Sequence, residues 1–471
     1  MRWITESMHR SLLGLVGLVF LLVGCGGGGG GSSDNMTVVE EQDNLTTDQP
    51  LTEVEEPKAD LDPDPDNGNI TNWETIQFGS PLWDEGHSVV TDSQDHIYIS
   101  GITIDEFEGT SHVGDYDLFL AKYSNDGELL WVEQLGTSAE EKPRGLALDA
   151  ADNIYLTGHT KGSLGAANAG GTDMFLVKYS DSGVRQWTRQ LGTSTADWGR
   201  DVVVDGAGNV YVTGVSSGDF DGNPNLGNQD FFVAKFNSNG TKQWSRLFGS
   251  VSVDTSYGIA VDNSNAVYIT GSTQGFLDGN NNSGKSDLFI TKFSSSGDPQ
   301  WTQLLGSTED EYGYDVAADE NGYLYIMGTT AGDLDGGGSS GSSDIFLAKY
   351  NQSGTRLWVQ QLQSPSNNYV NSLALDGLGN LYLAGWSQGE LDGNASAGGY
   401  DPFVAKYGSN GTKEWLELFG SAADDYAYGI TVDSNDQVLL TGWTEGELDG
   451  NPNLGKRDVF LVKYNSAGVR Q

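Results

Sequence analysis

Gly258-Ile259-Ala260-Val261-Asp262, Val267-Tyr268-Ile269-Thr270-Gly271 and Asp287-Leu288-Phe289-Ile290-Thr291-Lys292-Phe293, followed by Trp301, form one unit of a pattern that recurs along the chain. Tryptophan marks the period, at Trp73, Trp131, Trp187, Trp244, Trp301, Trp358 and Trp415, with gaps of 58, 56, 57, 57, 57 and 57 residues. Each run is short and rich in β-branched and aromatic residues, and the Gly, Asn, Asp and Ser clusters between runs supply turns. Four strands per unit follow, here called a, b, c and, for the Trp strand, d. One four-stranded sheet cannot bury both of its faces, so such units stack, either radially as propeller blades or linearly as a solenoid. A count of seven favours the ring, and the expected fold is an all-β, seven-bladed propeller over residues 73–471.

The phase of the repeat predicts how the ring closes. The array opens with a Trp strand, Trp73 to Phe78, and stops at Gln471, one residue before the next Trp would fall. The final blade is therefore expected to be Gly429–Asp433, Gln437–Trp443 and Val459–Tyr464, completed by Trp73–Phe78 as its outer strand. This closure removes both open edges.

The repeated Gly-x-Ala-x-Asp, Asn-x-Tyr-x-Thr-Gly and Gly-x-x-Asp-x-Phe-x-x-Lys-Tyr pattern resembles the bacterial seven-bladed β-propeller repeat family (SBBP), from Trp73 to Gln471. The resemblance implies a propeller, often on a secreted or surface-attached protein, and no particular reaction. Ser124-Asn125-Asp126-Gly127 before Trp131 approaches the Asp-box of sialidases. That motif sets Gly three residues before the aromatic, where this chain has four, so the segment reads as a hairpin turn.

Composition agrees with an exported all-β protein. Glycine is abundant, 66 of 471 residues, as tight turns with positive φ require. Cys25 is the sole cysteine, so packing and closure must hold the ring without an intramolecular disulfide. The net charge of −42 argues against nucleic acid or an anionic membrane surface as partner. It fits a solvated extracellular surface, a cationic partner or bound metal.

Residues 1–24 read as a signal peptide: Arg2 and Arg10 precede an apolar run, Leu12 to Val23, that is too short for a stable membrane-spanning helix. Leu22-Val23-Gly24-Cys25 resembles the bacterial lipobox. The resemblance implies a lipid-modified Cys25 and, with Gly26 following, anchorage in the outer membrane. Residues 25–72, with six glycines in a row and then an acidic, Pro-punctuated stretch, are expected to form a disordered tether.

The long b–c and d–a loops fall on one face of such a ring, so binding is expected there. Eight residues before the Asp that ends each strand a stand Asp84, Glu141, Asp197, Asp254, Glu311, Asn368 and Asp425. Carboxylates at the channel mouth beside Trp198, Tyr257, Tyr314 and their equivalents, with His87, Arg144 and Arg200, would suit sugars or cationic side chains. Alternatively, the acids cap turns and the tyrosines pack between blades. The candidate ligand residues are Asp197, Trp198, Arg200, Asp254, Tyr257, Glu311 and Tyr314, with Trp386 and Trp443, which break the repeat after the strand-b glycine.

The b–c loop Asp219, Asp221, Asn223, Asn225 to Asp230 places oxygens at alternate positions and partly resembles a calcium loop, with Pro224 where an EF-hand has glycine. Asp278 and Asp449 repeat its third position, and Asp287 and Asp458 its last. The same residues also suit Asx turns and strand starts. Lys122, Lys178, Lys235, Lys292, Lys349, Lys406 and Lys463 recur in strand c and are expected to pair with carboxylates between blades. The five histidines show no metal spacing, and no Ser-His-Asp or Cys-His set is evident.

The resulting expectation is a monomeric, lipid-anchored, non-catalytic propeller that binds protein or glycan, requires no cofactor and has calcium as an option. The alternative is a glycan-active hydrolase or lyase using Asp197, Asp254 or Glu311. A quinone-dependent dehydrogenase is a third reading without specific support.

Overall fold

The computed structural model describes residues 75–107 and 109–471. The signal peptide, Cys25, the tether and Trp73 lie outside the described residues. All of the architecture below belongs to the unit Asn67–Gln471.

Seven antiparallel sheets of four strands each make a propeller. In blade 4 the strands are a, Asp254–Val261; b, Val267–Thr273; c, Asp287–Phe293; and d, Pro299–Leu305, hydrogen-bonded in that order. Blades 1 to 7 open at Asp84, Glu141, Asp197, Asp254, Glu311, Asn368 and Asp425. Strands b and c of blade 4 are buried almost throughout, whereas strand d begins with two exposed residues. The hydrophobic clusters lie between blades. One joins Tyr268, Leu288 and Ile290 of blade 4 to Val316, Ile326 and Phe346 of blade 5. Each blade therefore buries both faces only because it has two neighbours.

The last blade is built from both ends of the propeller, as the phase of the repeat predicts. Its strands are Asp425–Val432, Val438–Thr444 and Asp458–Tyr464, and Ile76–Phe78 pairs with the last of these, Ile76 opposite Leu461 and Phe78 opposite Val459. Gln77 fixes this strand by donating to the Asp458 carboxylate (2.8 Å) and the Gly446 carbonyl (3.0 Å). Phe78 packs on Phe107 and Tyr123, at ring distances of 5.8 and 5.3 Å.

The periodic Trp and Lys join blades. Trp187 donates its indole N–H to the Ser238 carbonyl in the c–d turn of the next blade, and Lys178 reaches the same oxygen, both at 3.3 Å. The turn glycine there, Gly240, has φ +73° and lies on the Trp187 ring, where a Cβ would come within 2.8 Å. The lysines depart from expectation: the carboxylate they meet belongs to their own blade, as in Lys122 with Asp92 at 3.3 Å. What they grip across the junction is backbone, because the neighbouring c–d turn presents its carbonyl there. At the closing junction Lys463 instead donates to the Asn125 side chain at 2.7 Å.

Candidate binding channel

Every strand a carries a bulge at the same place. In blade 3 the pairing with strand b slips between Gly199 and Asp201, leaving Arg200 out of register, and the other six blades do likewise. A β-bulge bends its strand and redirects the extra side chain. The glycine in Thr-Gly of strand b makes it sterically feasible. On Gly214 a Cβ would fall 2.0 Å from the Trp198 carbonyl, and the six equivalent glycines meet the same carbonyl position.

The out-of-register residues are His87, Arg144, Arg200, Tyr257, Tyr314, Asn371 and Tyr428, and all seven line one central cavity of about 230 Å³. The next residues add Ser88, Asp201, Asp315 and Ser372 to the lining. Sequence reasoning singled out most of the first set but missed Asn371, Asp201 and Asp315. The doublets Arg200-Asp201 and Tyr314-Asp315, aligned across repeats, were the available signal.

The ring is electrostatically uneven. His87 bridges the Pro143 carbonyl (3.0 Å) and Glu85 (3.3 Å), and Glu85 also pairs with Arg457 at 2.5 Å. Burial alone would raise the Glu85 carboxyl, but His87 and Arg457 hold it at about 2. Arg144 and Arg200 differ: among the described residues neither is in an ion pair, and each has a buried Nε without a hydrogen-bond partner. Burial and then Arg144 push the Arg200 guanidinium down to about 10. Its guanidinium lies near two aromatic rings, Trp198 and Tyr257, at 5.0 and 5.6 Å.

Asp201 and Asp315 clamp blades together. Asp201 accepts from Val202 N–H (2.7 Å) and from Ile259 N–H of the next blade (3.0 Å). Asp315 does the same with Val316 (2.7 Å) and Leu373 (2.9 Å). Burial raises both carboxyls, and the charge of Asp201 raises Asp315 further.

Asp197, Asp254 and Glu311 are placed elsewhere than at the channel wall. All three are fully buried at the start of strand a. Asp254 accepts from Ser250 N–H (2.6 Å) and Oγ (2.8 Å), and Glu311 likewise from Ser307 (2.7 and 2.6 Å). Asp197 holds Thr193 in the same way and also accepts from Ser216. They close the d–a turns, which is the capping role that the repeat also allowed.

Trp386 and Trp443 meet in an aromatic group at blades 6 and 7. Trp386 stacks on Tyr369 at 4.1 Å and also meets Tyr426 (4.8 Å) and Tyr400 (5.1 Å). Trp443 is only 3% exposed, sandwiched between Tyr426 (4.3 Å) and the Arg457 guanidinium (3.8 Å). Trp386, Tyr369 and Tyr400 are half-buried and present the accessible part.

Two of the proposed ligand acids pair with cations of the protein itself. Asp221 pairs with Lys242 and accepts from Ser245. Asp449 pairs with Arg470 and accepts from Thr75. Asp221, Asp278 and Asp449 have φ of 53°, 49° and 55°, turn geometry that Asp tolerates. Asp219 accepts from Asn225 N–H (2.9 Å), Asn225 from Gly227 N–H (2.9 Å), and Asn223 donates to the Phe220 carbonyl (3.1 Å). Asp230, Asp287 and Asp458 each accept one loop N–H, from Leu226, Ser283 and Leu454. Among the described residues no group of three or more His, Cys, Asp or Glu is placed to hold a metal ion.

The beta-propeller repeat SBBP matches four stretches, residues 186–221, 243–276, 300–335 and 357–392. An uncharacterized WD repeat-containing protein of Acanthamoeba polyphaga mimivirus is 22% identical over 70% of this chain and 31% of its own. The regulatory protein FlaEY of Caulobacter vibrioides is 26% identical over 63% of this chain and 35% of its own. The chain thus spans about a third of the length of these relatives. Among solved structures, an ulvan lyase covers 84% of this chain and 97% of its own at 12% identity and a TM-score of 0.48. The β-propeller domain of the Trilobed protease from Pyrococcus furiosus covers 82% and 95% at 7% identity and a TM-score of 0.46.

Proposed function

We propose that this SBBP-repeat propeller is a non-catalytic binding module that engages a glycan or protein through the face carrying the b–c and d–a loops. One observation carries the reading: seven bulges turn one side chain per blade into an open channel and make the ring chemically unlike from blade to blade. Repetition that served only packing would favour one residue at that place. Instead cations stand on blades 2 and 3, tyrosines on blades 4, 5 and 7, and the blade-7 tyrosine, Tyr428, stacks at 6.4 Å on Tyr426 of the Trp386 group. Flat rings and hydrogen-bonding edges together suit sugars and polar protein surfaces.

The reading includes export and an acylated Cys25, with the propeller displayed from the outer membrane at the end of the tether. Cys25→Ser should then abolish lipid labelling and release the protein from membranes, and unchanged fractionation would refute the anchor. Among the described residues no helix is long and apolar enough to cross a membrane.

An enzymatic alternative, a glycan-active hydrolase or lyase, is favoured by one observation only, two carboxyls with raised pKa in the channel. It moves from Asp197, Asp254 and Glu311 to Asp201 and Asp315, whose oxygens already accept backbone N–H groups. A glycan array and a pull-down with the purified chain, followed by product analysis on every glycan retained, separate the readings. Retention without cleavage supports binding, whereas new chain ends that disappear with Asp201→Asn or Asp315→Asn would establish the enzyme.

A further inference from the structure

We propose that the channel holds the carboxylate of an acidic sugar residue between Arg144 and Arg200; this rests on the binding face assigned above and specifies what enters it.

The two guanidiniums stand on adjacent blades, each at the bulge of its strand a, and both line the cavity. Other cations nearby are already matched: Lys142 and Lys161 with Glu140, and Arg457 with Glu85 and Glu445. Arg144 and Arg200 have no such acid among the described residues, and the buried Nε of each lacks an acceptor. Glu85 and Glu140 act on Arg144 from a distance, and Asp201 and Asp315 line the same cavity, yet among the described residues no carboxylate forms an ion pair with either arginine. Two like charges left together in a partly dry channel are unfavourable for folding and are expected where a ligand supplies the countercharge. A fork of N–H donors from each arginine matches the two oxygens of a carboxylate.

The rest of the wall identifies what carries that carboxylate. Tyr257, Tyr314 and Tyr428 give ring faces, while Asn371 and Ser372 offer polar atoms to a hydroxylated ligand. An acidic peptide side chain would bring only methylenes to these groups and leave them unmatched. The cavity of about 230 Å³ is smaller than a drug-sized pocket, so one sugar ring enters. The negative field of the protein disfavours a run of charges and admits a single acidic residue, end-on.

The test is calorimetric titration of the full chain with glucuronate, glucose, acetate and sulfate at constant ionic strength, with thermal melting alongside. Glucuronate should bind roughly tenfold or more tightly than glucose or acetate, since charge-assisted hydrogen bonds and ring contacts are both needed. Arg144→Gln and Arg200→Gln should each remove that preference while the ligand-free melting midpoint stays level or rises, because one of two repelling charges is gone. A merely structural arginine would instead lower the midpoint. Arg200→Lys retains the charge without the fork and should bind glucuronate more weakly; equal binding overturns the proposal. So does sulfate binding as tightly as glucuronate, or glucuronate binding no better than glucose. Glycan retention that survives both Gln variants and is lost with Trp386→Ala would sink this inference and leave the binding face standing.

Discussion

Trp301 of blade 4 donates its indole N–H to the backbone carbonyl of Gln352 in blade 5, at 3.1 Å. Lys292 reaches that oxygen too, at 3.2 Å, and Gly354 of the same turn, at φ +81°, lies on the indole ring. One tryptophan per repeat therefore fixes the distance between blades, which explains why it recurs at a nearly constant interval.

Trp301→Phe, which keeps a ring and loses the donor, should lower stability by about 1 kcal/mol. Gly354→Ala should lower it by about 1–3 kcal/mol, because a Cβ meets both an unfavourable φ and the indole. Urea unfolding of the two variants checks this. An alanine variant as stable as the parent would remove the clasp.

Closure makes a second demand. Phe78 is buried in a cluster that also holds Val459 and Leu461 of the last blade and Phe119 of the first. Phe78→Asp should therefore open the ring and drive aggregation, through an uncovered strand edge and a buried unpaired charge. Deleting residues 26–70 should leave the melting midpoint unchanged. A monomeric Phe78→Asp protein with a parental midpoint would show that the N-terminal strand is dispensable.

The fold was legible because its determinants are periodic: the Trp, the Asp ending strand a and the strand-b glycine each repeat at one interval. The phase even located the strand that pairs with Asp458–Tyr464. The site was less legible, because periodicity marks what all blades share and binding depends on what they do not. Asp197 and Arg200 are three residues apart on one strand, yet the bulge aims only the second into the channel. Across the repeats the first place is almost always acidic and the second varies, but that contrast does not show which of the two faces the channel. The depth of Trp443, beneath Tyr426 and Arg457, likewise follows from three strands meeting and not from local pattern.

Carboxylates meet at blade junctions and give stability an unusual pH dependence. Asp401, which starts strand c of blade 6, faces Asp425 of blade 7, whose carboxyl is pushed up to about 6 by burial and then by the Asp401 charge. Asp230 rises to about 6 for the same reasons, with Asp254 opposite. The unfolded carboxyls titrate near about 4, so between about pH 4 and 6 the folded chain binds more protons than the unfolded one. Stability from these groups is thus complete below about pH 4 and lost as the pH rises through about 6. Opposing this, burial would raise the strand-a ends Asp92, Asp149, Asp205 and Asp262, but their hydrogen bonds outweigh it and hold them low, so their stability is lost only as the pH falls below the ordinary carboxylate range. The melting midpoint should be higher near pH 5 than near pH 7.5. Asp425→Asn should flatten that slope, following blade 6, where Asn368 stands at this place and accepts from Ser387 at 2.8 Å. A midpoint that climbs steadily from about pH 5 to 7.5 would contradict the junction pairs.

Calcium in the b–c loops is tested by the same melting experiment. A metal bound only to the folded chain raises stability by RT ln(1 + [L]/Kd), about 2.7 kcal/mol at a hundredfold excess over Kd. To ligate the ion, Asp221 would have to leave Lys242 and Ser245, and Asp449 would have to leave Arg470 and Thr75. Asp219, Asn223 and Asn225 already serve the turn. Chelation at constant ionic strength is accordingly expected to leave the midpoint where it is. Under this arrangement Asp221→Ala and Asp449→Ala should each lower stability, by about 1 kcal/mol or less for a partly exposed ion pair, with or without the metal. If EDTA lowers the midpoint and millimolar Ca²⁺ restores it, and the triple variant Asp221→Ala, Asp278→Ala, Asp449→Ala abolishes the difference, those loops are metal sites and their ion pairs belong to the metal-free state alone.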